Sequence, residues 1–100
     1  EFYVADKYAF DVKKLSVDRA VFAEVFKILK LNRFYGKSSV DVALGVESET
    51  LSKEQIIFSL EVFLELGFFS FIGGALQLDK TIKKELGSSA LYAKVAAKLV

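Results

Sequence analysis

The sequence predicts an α+β domain that is mainly helical, and three observations lead to this class. Apolar residues recur at the 3.6-residue spacing of amphipathic helices in several separate stretches. The segment "LSKEQIIFSLEVFLELG", Leu51 to Gly67, carries helix start and stop signals at its two ends. A Gly73-Gly74 pair between two alternating runs indicates a β-hairpin. Helices should therefore form most of the domain, with a small hairpin beside them.

Composition limits the chain to one domain and removes several kinds of chemistry. Its 100 residues are 53% hydrophobic and 27% charged, which suits a single core over residues 1–100. The absence of Cys and His excludes disulfides, thiol nucleophiles, histidine acid–base catalysis and the usual zinc ligands. There is also no Met, and the final "AAKLV" continues a helical pattern without a stop signal. We expect a C-terminal fragment of a longer protein.

The first part of the chain should contain strands followed by two helices. Alternation near the N-terminus predicts one or two short strands, with one side formed by Tyr8, Phe10 and Val12. Ser16 stands at the N-cap of a first helix, predicted over residues 17–31. Its apolar stripe consists of Val21, Phe22, Val25, Phe26 and Leu29. Ser38 or Ser39 can cap a short second helix.

The third helix has the strongest local signals. Ser52 and Gln55 form an S-x-x-Q capping box, in which each side chain satisfies a backbone N–H of the other residue. The helix is predicted over residues 53–66 and should end at Gly67, which can adopt the left-handed conformation. The predicted core includes Phe22, Phe26, Leu60, Phe63 and Phe71.

A two-residue turn at Gly73-Gly74 sets the register of the hairpin. It pairs Ile72 with Ala75, Phe71 with Leu76, Ser70 with Gln77 and Phe69 with Leu78. This register separates an apolar face from a polar one. Ser88 or Ser89 then caps a last helix, whose stripe is Leu91, Val95 and Leu99. The order of elements, from a short N-terminal strand or hairpin through three helices and a hairpin wing to a C-terminal helix, is that of a winged helix-turn-helix.

Three motifs give the chain a family resemblance. They are "VFLELGF" at Val62 to Phe68 before a glycine-tipped hairpin, "FYV" at Phe2 to Val4 ahead of "SVDRAVF", and the series Leu86, Ser89 and Tyr92. In these the chain resembles the C-terminal domain of RecJ-type single-stranded-DNA-specific exonucleases, in the form found in low-GC Gram-positive bacteria. It departs from that family in its shorter length and in an entry at Leu15 to Asp18 that lacks proline.

The resemblance implies a non-catalytic accessory domain in DNA repair and recombination. In that family, 5′→3′ hydrolysis uses Asp- and His-rich motifs that bind Mg²⁺ or Mn²⁺ in a separate N-terminal part. None of those motifs maps onto this chain, so the resemblance implies neither catalytic residues nor a cofactor here. We expect a cytoplasmic, monomeric module that positions single-stranded DNA or docks a DNA-repair protein.

Two basic patches are candidate contacts for nucleic acid. The first combines cations and aromatic rings without an acid between them, as phosphate contact and base stacking require, and comprises Lys27, Lys30, Arg33, Phe34, Tyr35 and Lys37. The second follows the hairpin and comprises Lys80, Lys83 and Lys84, with Lys94 and Lys98 on the last helix. The alternatives are a solvated helix end with buried rings for the first patch, and solubilising charge for the second.

Glu54, Glu61 and Glu65 share one face of the third helix, because offsets of seven and eleven residues return to nearly the same angle. We expect this face to be open to solvent, with protein contact as the alternative, since spaced carboxylates alone form neither an acid–base nor a metal site. Such a face would repel phosphates, whereas a transcription regulator reads DNA with a basic recognition helix. A free-standing winged-helix transcription regulator is therefore the second hypothesis and not the first. The carboxylates of this face also argue against a membrane span over Ile56 to Leu78.

Overall fold

The computed structural model describes residues 2–5, 8–11 and 14–96. Within these ranges the chain forms a compact α+β domain in which helices predominate, as predicted. The elements, in order, are β1 (Phe2–Ala5), β2 (Tyr8–Asp11), α1 (Arg19–Leu31), α2 (Ser39–Gly45), α3 (Lys53–Leu66), β3 (Phe69–Ile72), β4 (Ala75–Leu78) and α4 (Ala90–Ala96). A turn of 3₁₀ helix over Leu86–Ser88 precedes α4.

The N-terminal strands form an antiparallel hairpin that packs on the helices. Tyr3 pairs with Phe10 and Val4 with Ala9. Phe10 is buried in the core and Tyr8 packs against its edge, so the prediction of an inward-facing side is confirmed for these two residues. Val12, the third residue predicted for that side, lies outside the described residues.

The start of α1 differs from the prediction. Asp18, and not Ser16, is the N-cap, and its Oδ1 accepts a hydrogen bond from the Val21 N–H at 2.9 Å. Asp caps a helix as well as Ser does. Val17 is fully buried ahead of the helix, and the Ser16 carbonyl accepts a hydrogen bond from the Gln55 Nε2 at 2.7 Å. The tertiary contacts of residues 16 and 17 therefore move the start of the helix to Arg19.

The caps predicted for α2 and α3 are confirmed. Ser38 caps α2, while Ser39 is its first residue and is buried. At α3 both hydrogen bonds of the capping box form. The Ser52 N–H donates to the Gln55 Oε1 at 2.8 Å, and the Gln55 N–H donates to the Ser52 Oγ at 3.2 Å. Gly67 ends α3 in the left-handed conformation, at φ 86°.

The hairpin of β3 and β4 has the predicted register at all four pairs. Gly73 and Gly74 both have positive φ angles, 62° and 78°, which a type I′ turn requires. An additional contact holds the hairpin: the segment between α1 and α2 runs antiparallel to the start of β4. The Leu76 N–H donates to the Phe34 carbonyl at 3.0 Å, and the Gly36 N–H to the Gly74 carbonyl at 2.9 Å.

The core is organised around α3, whose buried positions face the other elements. Phe63 is 2% exposed, and its ring lies 5.5–6.1 Å, between centroids, from four other rings, those of Phe22, Phe26, Phe68 and Phe69. Of the predicted core, Phe22, Leu60 and Phe63 are buried, whereas Phe26 and Phe71 are only partly buried. No helix of the described part is both long enough and apolar enough to cross a membrane.

The last helix begins as predicted, with Ser89 at its start. The Ser89 Oγ accepts a hydrogen bond from the Tyr92 N–H at 3.0 Å. Leu91 packs against the core. The predicted stripe continues to Val95, whose side chain is not described, and to Leu99, which lies outside the described residues together with Lys98.

Candidate nucleic-acid interface

The first basic patch lies at the end of α1 and in the segment that follows it. Lys27, Lys30, Arg33 and Lys37 are all exposed, as a solvent-facing ligand site requires. The two aromatic residues differ. Phe34 packs against the core, while Tyr35 is 66% exposed, so only the Tyr35 ring is free to stack on a base.

The second patch follows β4, where Lys80, Lys83 and Lys84 are exposed. The turn that carries them is fixed by Asp79, whose carboxylate accepts hydrogen bonds from the Thr81 hydroxyl at 2.6 Å and the Thr81 N–H at 2.9 Å. These two bonds hold the pKa of the Asp79 carboxyl below its ordinary value. Asp79 therefore serves the local turn and keeps its negative charge.

Parts of both patches meet across a groove between α1 and the segment after β4. The groove has a volume of about 480 Å³ and a lining of apolar and charged side chains, which are those of Phe26, Lys30, Phe68, Leu78, Asp79, Lys80, Ile82, Lys83 and Lys84. The lining thus contains four lysines and one carboxylate, that of Asp79. No carboxylate within the described ranges forms an ion pair with any of these lysines. We call this site the lysine groove.

The structure divides the first patch. Lys30 lines the lysine groove, whereas Arg33 and Tyr35 line a separate depression beside α2 that also contains Asp41 and Glu47. The Asp41 carboxylate accepts from the Lys37 N–H at 2.9 Å, so acidic groups lie close to this second depression. The part of the first patch near α2 is thus less suited to phosphate than the part that faces the groove.

Phe26 and Phe68 belong to the groove although the sequence indicated only a core role for the first and a motif position for the second. Both are partly buried and line the groove. The sequence did contain a sign that Phe26 lies near the basic patch. Lys30 follows it by one helical turn, so the two side chains share a face of α1. Phe68 reaches the groove through the reversal of the chain at Gly67, which only the tertiary structure reveals.

The acidic residues of α3 lie at the surface, where Glu65 is exposed and Glu54 and Glu61 are partly buried, but their carboxylates also make contacts within the domain. Each carboxylate accepts a hydrogen bond from a different element. The Tyr8 hydroxyl of β2 donates to Glu54 at 2.8 Å, and the Ser39 hydroxyl of α2 donates to Glu61 at 2.6 Å. The Tyr8 bond, as the largest cause, lowers the pKa of Glu54 and raises that of Tyr8.

Glu65 connects two helix ends. It lies in the last turn of α3, where the helix dipole disfavours a negative charge. Its carboxylate accepts from the Ser89 hydroxyl at 2.6 Å and from the N–H groups of Ala90 and Leu91 at 2.9 and 3.3 Å. These are the otherwise unpaired first amides of α4, so Glu65 caps the next helix. The positive end of the α4 dipole therefore offsets the unfavourable position of the Glu65 carboxylate in the last turn of α3.

The polar residues that begin α3 are also used within the domain. The Lys53 ammonium donates to the carbonyls of Ala43 and Val46 at 2.8 and 2.6 Å, which caps the end of α2. Gln55 bonds the Ser52 N–H and the Ser16 carbonyl. A helix that enters a major groove needs such side chains free for base edges. In α3 they hold its neighbours in place.

Within the described residues, no group of three or more His, Cys, Asp or Glu side chains is placed to hold a metal ion. Comparisons of the chain with protein-family models, with curated proteins and with solved structures give no significant match. The functional interpretation therefore depends on the chemistry of the lysine groove and on the resemblance in sequence.

Proposed function

We propose that this chain is a non-catalytic module that binds single-stranded nucleic acid in the lysine groove. The observation that carries the proposal is the combination of four exposed lysines with the partly buried side chains of Phe26 and Phe68 in one concave site. Lysines contact successive phosphates, and aromatic edges and faces contact bases, without requiring a particular sequence. The resemblance to RecJ-type exonucleases adds that the strand is DNA and that hydrolysis occurs elsewhere in a longer, metal-dependent protein.

The winged helix-turn-helix assignment is part of this proposal. It is supported by the element order from α1 to β4 and by an isolated antiparallel bridge between Tyr35 and Ala75, which attaches the segment before α2 to the hairpin. In this fold α3 would occupy the place of the recognition helix. Its polar side chains are engaged inside the domain, which favours an architectural use of the fold.

A free-standing transcription regulator is the less favoured function. Such a protein reads a duplex through a basic helix with free side chains. Here the carboxylates and the leading polar side chains of α3 bond to other elements, and eight of its 14 residues are buried. Docking of a repair protein through the acidic face is less favoured for the same reason, because a partner would have to compete with three internal contacts.

The test is binding of a 5′-labelled oligo-dT of about 12 nucleotides, measured by fluorescence anisotropy at several salt concentrations. Lys30→Ala with Lys84→Ala removes two charges from the groove. We expect weaker binding and a salt slope reduced by up to roughly 1.4, because each phosphate contact on a single strand contributes about 0.7. Under the same conditions with Mg²⁺ or Mn²⁺, the oligo-dT should stay intact on a denaturing gel.

The control is Lys14→Ala with Lys27→Ala, which removes the same charge from exposed positions that do not line the groove. It should change binding much less. Equal loss in the two double variants would mean diffuse attraction to the whole surface, and an absence of binding by the wild-type chain would overturn the proposal. A duplex of defined sequence bound more tightly than oligo-dT would favour the regulator.

A further inference from the structure

A second pocket adjoins the lysine groove on the other side of Phe26. It lies between α1 and the segment that leads into α4, has a volume of about 580 Å³, and shares Phe26 and Lys84 with the groove. This volume is within the range of roughly 300–1,000 Å³ that small-molecule sites occupy. A strand lying in the groove would pass its entrance.

The pocket is aromatic inside and cationic at its rim. Phe26 and Tyr92 are partly buried and present their rings to the space, backed by the buried rings of Phe22 and Phe63. The Phe22 and Tyr92 centroids are 5.4 Å apart, so the wall is a packed aromatic surface. Arg19 and Lys84 are exposed at the rim, and Glu85 is the acid among the described lining residues.

These groups match the two ends of a nucleotide. A base has a flat π-face on which aromatic side chains stack. The guanidinium of Arg19 can hold a phosphate through two parallel N–H donors, and Lys84 adds a second positive charge. Neither cation forms an ion pair with a carboxylate within the described ranges, so both charges are available to a ligand.

We infer that this pocket takes one unpaired nucleotide of the bound strand, with its base on the rings of Phe26 and Tyr92 and its phosphate between Arg19 and Lys84. The inference deepens the proposed function and rests on it, because the lysine groove supplies the strand. It also gives the domain a preference that charge alone would not produce. A nucleotide without a base, or a base held in a duplex, should not fill the site.

The experiment blocks the pocket without removing any group that binds. Ala23 is exposed on α1 and lines the pocket, so Ala23→Leu places a branched side chain in the space intended for the base. Ala20 is exposed on the same helix and does not line it, which makes Ala20→Leu a matched control. Leucine is a strong helix former, and both variants should keep the fold. Circular dichroism and thermal unfolding verify this.

Two ligands are titrated into both variants: thymidine 5′-monophosphate, followed by NMR chemical shifts, and the labelled oligo-dT. We expect Ala23→Leu to weaken the monophosphate by roughly tenfold or more relative to Ala20→Leu, since a stacked base is lost. Deoxyribose 5-phosphate should bind wild type at least tenfold more weakly than the monophosphate. The shifted amide signals should include Arg19, Ala23 and Tyr92.

The outcomes separate this inference from the function on which it rests. If oligo-dT binds with the lysine-dependent salt slope but Ala23→Leu and Ala20→Leu behave alike, the pocket assignment is wrong and the groove remains. If deoxyribose 5-phosphate binds as well as the monophosphate, the site recognises phosphate alone and the inference also fails. If oligo-dT and the monophosphate both fail to bind wild type, both proposals are overturned.

Discussion

Ser59 places a single hydroxyl group in the centre of the core. The residue has no exposed surface, and its Oγ has no hydrogen-bond partner within the described chain. A buried hydroxyl without a partner loses its hydrogen bonds to water on folding and costs roughly 1–3 kcal/mol. The hydroxyl of Ser59 is therefore unfavourable because it is polar and lacks a partner among the described residues.

Removing that hydroxyl should stabilise the domain. We expect Ser59→Ala to raise the free energy of unfolding by about 1 kcal/mol, because the unpaired group disappears and alanine is the best helix former. Urea titration followed by circular dichroism measures the change. Ser70→Ala is the control, since that side chain is exposed on β3 and should have an effect within about 0.5 kcal/mol. A loss of stability in Ser59→Ala would mean that its hydroxyl has a partner.

Residue-level prediction from the sequence succeeded where the cause was local. Ser52 with Gln55 and Gly67 follow rules that need only a few neighbouring positions, and both ends of α3 agree with them. It failed where the partner was distant. The hydroxyls that bind Glu54, Glu61 and Glu65 lie 46, 22 and 24 residues away along the chain, and nothing in helical periodicity reveals such pairs.

Among the elements, the hairpin of β3 and β4 depends on two backbone conformations at its tip, those of Gly73 and Gly74. Adding a Cβ at Gly73 would meet no atom within 4 Å, yet the residue has φ 62°. The cost of Gly73→Ala is therefore conformational, roughly 1–2 kcal/mol for a left-handed residue with a side chain. Gly87→Ala is the control, because its Cβ also meets nothing and its φ is not positive. Chemical denaturation should show a loss for Gly73→Ala and little change for Gly87→Ala.

The contact between the N-terminal hairpin and α3 should make stability depend on pH. The Tyr8 hydrogen bond holds the pKa of Glu54 below its ordinary value of 4.5, so its contribution is present above about pH 4.5 and is lost as pH falls through the folded-state pKa. The pKa of Tyr8 is raised above 10.0, so its contribution is lost as pH rises beyond that value. Tyr8→Phe should weaken both dependences in unfolding measured across pH. Identical pH profiles for wild type and variant would contradict the contact.

The register of the β3–β4 hairpin was predictable because turn geometry alone determines it, and all four pairs agree. The attachment of the hairpin to Phe34 and Gly36 was not predictable. Those residues lie in a segment without alternating apolar and polar residues, and they form hydrogen bonds through backbone groups. The lysine groove was missed for a related reason. Lys30 and Lys84 belong to separate patches in sequence, and only the packing of the segment after β4 against α1 brings them together.

At the scale of the whole molecule, one contiguous core connects the elements from Phe10 to Leu76. We expect a single cooperative transition, in which tyrosine fluorescence and circular dichroism give the same midpoint. Phe63→Ala should cost roughly 3–5 kcal/mol, because the ring is buried among four others, and this is a large part of the stability of a small domain.

The control for the core is Ile72→Ala, since Ile72 is 56% exposed near the tip of the β3–β4 hairpin. It should change the free energy of unfolding by less than about 0.5 kcal/mol. A loss below about 1 kcal/mol for Phe63→Ala, or two separate transitions in the wild-type chain, would show that the aromatic cluster does not unite the domain.

The three carboxylates of α3 also restrict how this sequence can change over evolutionary time. A lysine at position 54 or 61 would remove the acceptor of the Tyr8 or Ser39 hydroxyl, and one at position 65 would place a positive charge on the first amides of α4, so each step toward a basic helix costs an internal contact. Each glutamate and its partner should vary as a pair, Glu61 with Ser39 and Glu65 with Ser89. The lysines of the groove are exposed. Substitutions there should therefore change ligand preference at a lower cost in stability than substitutions of the glutamates on α3.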